Sequence, residues 1–136
     1  MLIHRSRNFL CLVLLALMLS GCADDKAVVL GPQQWEDLVF KIETRPSPLR
    51  VGMNEFIVIA SWDEYKPGVD LVVDLKVGKN GQWRQAIQDG FTGVYRRAVQ
   101  VDDPQTQTLT VRVNRTRKDD GTVMYFPLNQ KPGKAH

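Results

Sequence analysis

The chain has 136 residues, 43% of them hydrophobic, and carries a formal net charge of +3. That length holds one domain of common size and not two. The charge gives little support to the clustered basic surface that nucleic-acid binding requires, so no nucleic-acid partner is expected.

Residues 1–21 read as a cleaved targeting peptide. His4, Arg5 and Arg7 precede the eleven-residue apolar run Phe9 to Leu19, and no acid occurs before Asp24. A membrane-spanning helix needs roughly 20 apolar residues, so this run has the length of a signal-peptide core. It is followed by Leu19-Ser20-Gly21-Cys22, which resembles the lipobox of bacterial lipoproteins. The resemblance implies that the Cys22 thiol receives a diacylglyceryl group, that the chain is cut just before it, and that the new N-terminus is acylated. Each buried methylene adds about 0.8 kcal/mol, and two or more acyl chains give stable anchoring where one does not. Ala23, in place of the Asp that favours inner-membrane retention, implies an outer-membrane protein facing the periplasm. Cleavage removes Arg5 and Arg7 from the 18 basic residues and leaves the 15 acids, so the formal charge falls to +1. Cys11 is lost as well, and with Cys22 acylated no intrachain disulfide is possible.

Residues 22–34 read as a lipidated N-terminus and tether, with Gly31-Pro32 as a breaker; a short edge strand at Val28 to Leu30 is the alternative. From residue 35 to 130 the pattern has period two, as strands with one buried face require. Leu38, Phe40 and Ile42 alternate with Val39, Lys41 and Glu43. Phe56, Val58, Ala60 and Trp62 share a face while Ile57 and Ile59 take the other, which predicts a central strand covered on both sides. Leu71, Val73, Leu75 and Val77 follow, and Gly78-Lys79-Asn80-Gly81 predicts a tight hairpin into a strand over 83–87, with positive φ at Asn-Gly. Tyr95, Arg97, Val99 and Val101 define the next strand, then Leu109, Val111 and Val113. Lys118-Asp119-Asp120-Gly121 predicts a second hairpin whose last strand ends near Pro127. About seven short strands joined by turns predict an all-β, immunoglobulin-like antiparallel β-sandwich. Pro132, Gly133 and Lys134 predict a flexible C-terminus over 131–136.

The stretches P-L-R-V-G-M-N-E-F-I-V (48–58) and D-G-F-T-G-V-Y-R-R-A-V-Q-V (89–101) resemble immunoglobulin-like domains of the YtkA or FixH type. Asp89, Gly93 and Tyr95 are similarly spaced to a tyrosine corner, which implies that the Tyr95 phenol bonds a backbone group. Related domains are associated with copper handling or assembly of respiratory oxidases. The residues argue against metal here: Met53, Met124 and the terminal His136 are the soft or imidazole ligands on offer, and a copper or zinc site needs several converging on one point. No cofactor is expected. No catalytic residue is expected either, because a serine would have to pair with His136 on a loose end.

Binding through loops and edges remains. In S-W-D-E-Y-K-P-G (61–68), Trp62 and Tyr65 flank Asp63 and Glu64 at the end of the central strand, an aromatic and charged mix common at interfaces and sugar platforms. Trp62 can equally close the core. Trp83, beside the Asn-Gly turn, is a second candidate, or half of a cross-strand pair on an outer sheet face. Arg115 and Arg117, with Arg112 and Lys118, form a basic set that either meets an anionic partner or protects a β edge. These features support a lipid-anchored accessory or assembly subunit that binds an envelope protein. A carbohydrate- or peptidoglycan-binding module is the alternative, and an assembly factor for a respiratory or metal complex is the third reading.

Overall fold

The computed structural model describes residues 28–63 and 66–130, and there the period-two pattern becomes two antiparallel sheets. In chain order the strands are β1 (Val29–Trp35), β2 (Leu38–Arg45), β3 (Gly52–Ser61), β4 (Leu71–Val77), β5 (Arg84–Gln85), β6 (Ile87–Gln88), β7 (Val94–Val101), β8 (Thr108–Arg115) and β9 (Gly121–Pro127). One sheet has the order β1-β2-β3-β7-β6 and the other β5-β4-β8-β9. The two pack face to face as an immunoglobulin-like β-sandwich. Inward residues come from every long strand: Leu30 of β1, Phe40 and Ile42 of β2, Phe56 and Val58 of β3, Val73 and Leu75 of β4, Val101 of β7, Val111 and Val113 of β8, and Phe126 of β9 are all buried. Burying such a side chain is worth about 1.5–3 kcal/mol, so this inner layer supplies the main driving force. The central strand of the first sheet is β3, and Ile57 on its outer face is also buried, as its continuous apolar run predicts.

Four sequence expectations are corrected. The tether does not extend to residue 34, because Val29–Trp35 pairs with β2. Gly31-Pro32 acts as a register shift between Leu30 and Gln33 rather than as a breaker. An edge strand needs no outward N–H from proline, and a bulge absorbs the extra residue. The predicted strand over 83–87 is split in two: Arg84 and Gln85 pair with β4, whereas Ile87 and Gln88 pair with β7 in the opposite sheet. Ala86 is the buried pivot, and its N–H donates to the Val73 carbonyl at 2.8 Å. Together with β1, this split raises the count from about seven strands to nine. In the turn before it, the positive φ falls on Gly78 (76°) and not on Asn80 or Gly81. Gly81 is required for space instead, since a Cβ there would collide with the Val77 carbonyl oxygen.

Tyr95 is 1% exposed, and its phenol donates a 3.0 Å hydrogen bond to the Gly68 carbonyl. The corner therefore pins the β3–β4 connection, 27 residues upstream. Burial pushes the phenol above its ordinary value of 10.0; a backbone hydrogen bond from Leu71 opposes this, and the Asp70 charge reinforces it. The folded value thus lies above the unfolded one. Stability is intact below about pH 10 and declines as pH rises toward the folded value, because only the unfolded chain ionises there. Tyr95→Phe is expected to lose about 1 kcal/mol at neutral pH and to flatten this alkaline slope, as urea midpoints at neutral pH and above pH 10 would show. A slope unchanged in the variant would assign it to another group.

Candidate functional site

The strand registers sort the connections onto two poles. The β1–β2 turn at Glu36-Asp37, the β3–β4 loop, the 89–93 turn and the β8–β9 turn lie at one pole. The start of β1, the 46–51 loop and the 102–107 loop lie at the other, where the Val28 N–H donates to Ser47 Oγ at 2.7 Å.

Arg115 organises the first pole. It follows Leu109, Val111 and Val113 at a spacing of two, so its side chain turns inward like theirs, and only 10% of it is exposed. Its guanidinium lies 4.9 Å from the ring centre of Trp35 and 4.9 Å from that of Trp62. Three carboxylates surround it: Glu36 at 2.9 Å, Asp37 at 3.1 Å and Asp120 at 3.5 Å. The side-chain contact with Asp120, from Nε to Oδ2, is one of charge alone, because Arg115 Nε makes no hydrogen bond, but the Arg115 backbone N–H donates to the Asp120 carbonyl at 3.1 Å. Burial pulls the guanidinium down, but the hydrogen bond to Asp37 and the charges of Asp120, Asp37 and Glu36 outweigh it and hold Arg115 above its ordinary value. Arg115 is charged at every accessible pH.

Backbone geometry at this pole is unusual. Glu36 (φ 52°) and Asp70 (φ 59°) are the non-glycine residues with positive φ among the described residues. Such conformations cost about 1–2 kcal/mol per residue and persist where surrounding contacts fix them. Glu36 is held by its ion pair with Arg115 and by Gln34, whose Nε2 donates to the Glu36 carbonyl at 2.8 Å. The Asp70 carbonyl accepts from both the N–H and the hydroxyl of Thr116. Nearby, Asp63 Oδ1 accepts from the Lys66 N–H at 3.2 Å and shapes the loop after Trp62.

The sequence candidates therefore separate. Trp62, Asp63 and Arg117 gather at this pole, with Trp62 partly buried against the core and Arg117 exposed on the β8–β9 turn. Arg115, expected to face an outside anion or guard an edge, turns inward and is engaged by protein carboxylates. Trp83 lies apart, on the outer face of the second sheet, with Arg112 at 4.3 Å and Lys76 at 5.0 Å from its ring centre. Arg112 is in turn held by Asp74 at 3.1 Å. Tyr65, Cys22 and His136 lie outside the described residues. Trp35 was not among the sequence candidates. Its signal was its place before Glu36-Asp37 and opposite Leu38, where an aromatic residue closes a hairpin.

Chemically, the pole presents two partly buried indoles and the half-exposed carboxylates of Glu36 and Asp37 around a fixed cation, with basic Arg117 and Lys118 alongside. Among the described residues, no three His, Cys, Asp or Glu side chains form a group able to hold a metal ion. No protein-family model, curated protein or solved structure matches the chain.

Proposed function

We propose that the protein is a lipid-anchored, periplasm-facing lipoprotein, held in the bacterial outer membrane through Cys22, whose sandwich binds another envelope protein as a non-catalytic accessory or assembly subunit. The observation that carries this reading is the opposition of the two poles. The chain leading from Cys22 enters at the Val28 and Ser47 end, while Trp35, Trp62 and Arg115 lie at the far end. The six residues from Cys22 to the domain span up to roughly 20 Å when extended. A lipid on Cys22 thus leaves the aromatic and charged pole pointing away from the bilayer, where a partner can reach it.

The three tryptophans favour a protein partner over a glycan. Each indole has a cation over its ring, and a sugar platform needs an open aromatic face. Aromatic residues combined with arginine and a polar rim are the composition of interface hot spots.

The test is in-cell photo-crosslinking from Arg117 at the far pole and from Gln105 at the near pole, with Cys22→Ser as the anchoring control. A discrete protein adduct from Arg117 and not from Gln105 is expected. Cys22→Ser is expected to release the protein from membranes or to leave it as an unprocessed precursor. Normal maturation and unchanged fractionation of Cys22→Ser would remove the anchor, and adducts containing only glycan would replace the protein partner with a saccharide.

A further inference from the structure

The crossing at Ala86 has a consequence on the opposite flank. Because β5 joins one sheet and β6 the other, β6 covers β7 only at Tyr95 and Arg96. Backbone parity along β7 is fixed by two bonds. The Gly93 carbonyl accepts from Ala60 of β3, and the Val94 carbonyl accepts from Asp89 on the β6 side, both at 2.8 Å. Even-numbered residues of β7 therefore direct their N–H and C=O groups away from β3. On that outward side, no strand among the described residues pairs with Ala98 or Gln100, both exposed. An exposed edge of this kind is a ready template for one more strand.

A groove of about 570 Å³ runs along this open edge, between β7 and the turn that precedes β5. Three cations line it, Lys79, Arg84 and Arg97, and none makes an ion pair among the described residues. Arg97 follows the inward parity of Tyr95 and Val99, yet lies at the edge, where its charge opposes pairing with another positive strand. Of the acids nearby, Asp102 accepts from Gln100 Nε2 at 3.4 Å, and Glu55 and Asp89 are paired with Arg96 at 3.0 and 3.7 Å. On the outer face, Met53 (62% exposed) and Ile87 (67% exposed) border a second hollow of about 540 Å³ whose floor includes Ala98. Its small side chain leaves room there for an apolar residue of an added strand.

We propose that this edge docks an extended acidic segment of a partner protein by strand addition. The main-chain groups of Ala98 and Gln100 pair with its backbone, its carboxylates meet Lys79, Arg84 and Arg97, and an alternate apolar residue rests between Met53 and Ile87. Two copies of this chain meeting along the same edge would bring like charges together, so a second copy is the poorer occupant. The surface is separate from the far pole and binds whether or not that pole does.

The probe is a fluorescein-labelled seven-residue peptide of alternating Glu and Val, titrated into the full-length protein in detergent, with the Lys and Val counterpart as comparison. The acidic peptide is expected to bind at least tenfold more tightly and to slow amide hydrogen exchange at Ala98 and Gln100. The double variant Lys79→Glu, Arg84→Glu alters only exposed or partly exposed side chains and is expected to weaken binding at least tenfold. Ala98→Pro, which removes one outward N–H from an edge position where proline is tolerated, is expected to abolish it. Should that variant fold poorly, the charge reversal and the exchange measurement still decide. Equal affinity for the two peptides, binding by neither, or binding without protection of Ala98 and Gln100 would overturn the proposal. So would a dimer of the protein alone that Ala98→Pro dissolves, which would assign the edge to a second copy.

Discussion

Arg115→Ala is expected to destabilise the domain by about 2–4 kcal/mol, at the lower side of what breaking a buried ion pair costs. The side chain is nine-tenths buried, and its removal leaves Glu36, Asp37 and Asp120 facing one another with no counter-charge. It also empties the space between the Trp35 and Trp62 rings, each of which loses a cation contact. Two of these carboxylates are more than half exposed, so solvent screens part of the repulsion and keeps the loss from being larger. Arg115→Met separates the contributions by restoring much of the packing without the charge. Arg115→Lys restores the charge without the planar group that stacks on indole, and is expected to recover less than half of the loss. Urea midpoints read by tryptophan fluorescence measure all three variants, and a red shift in the native emission of Arg115→Ala reports opening of the stack. A loss of less than about 0.5 kcal/mol would rank the cluster with ordinary surface pairs.

Gly93→Ala is expected to cost more, about 3–5 kcal/mol, a large part of a typical domain's stability. Gly93 has φ 74°, and a Cβ there would strike the Ala60 carbonyl oxygen and come within 2.9 Å of the Gly68 nitrogen. Those two atoms are joined by a 2.8 Å hydrogen bond, and Ala60 in turn donates to the Gly93 carbonyl. The added methyl thus lands on backbone, which cannot swing aside as a long side chain can. Gly68 also accepts from the Tyr95 phenol, so displacement would spread to the corner. Gly90 is the control: φ is also positive, at 58°, but nothing lies within 4 Å of its Cβ position. Gly90→Ala is expected to cost only the conformational strain, about 1 kcal/mol. Equal urea midpoints for the two variants would show that steric contact at Gly93 contributes nothing.

Particular residues show why the fold was legible. The alternation in Leu38 to Ile42, Leu71 to Val77 and Leu109 to Val113 gave strands whose inner faces are buried in the structure. Alternation is a local property, set by side chains pointing to opposite faces of a pleat. The Gly31-Pro32 stretch misled because the same dipeptide that breaks a central strand is tolerated as a bulge at an edge, and edge or centre is a property of the sheet. The 83–87 segment misled for a related reason: its short pattern cannot say that its first half pairs with β4 and its second half with β7.

The site was less legible than the fold. Arg115 read as one of several surface cations, although its parity with Val111 and Val113 already directed it inward. What parity could not supply was its company, because Trp35 and Asp37, Trp62, and Asp120 come from three separate stretches of chain. The sequence by itself determined the period of two, the two-layered β class and the spacing of the corner around Tyr95, all of which rest on neighbours within a few residues. Only the tertiary structure decided that one buried cation joins two indoles to three carboxylates, and that β7 keeps an open edge. Both depend on which strands lie side by side, and that pairing is set by the burial of the whole inner layer at once.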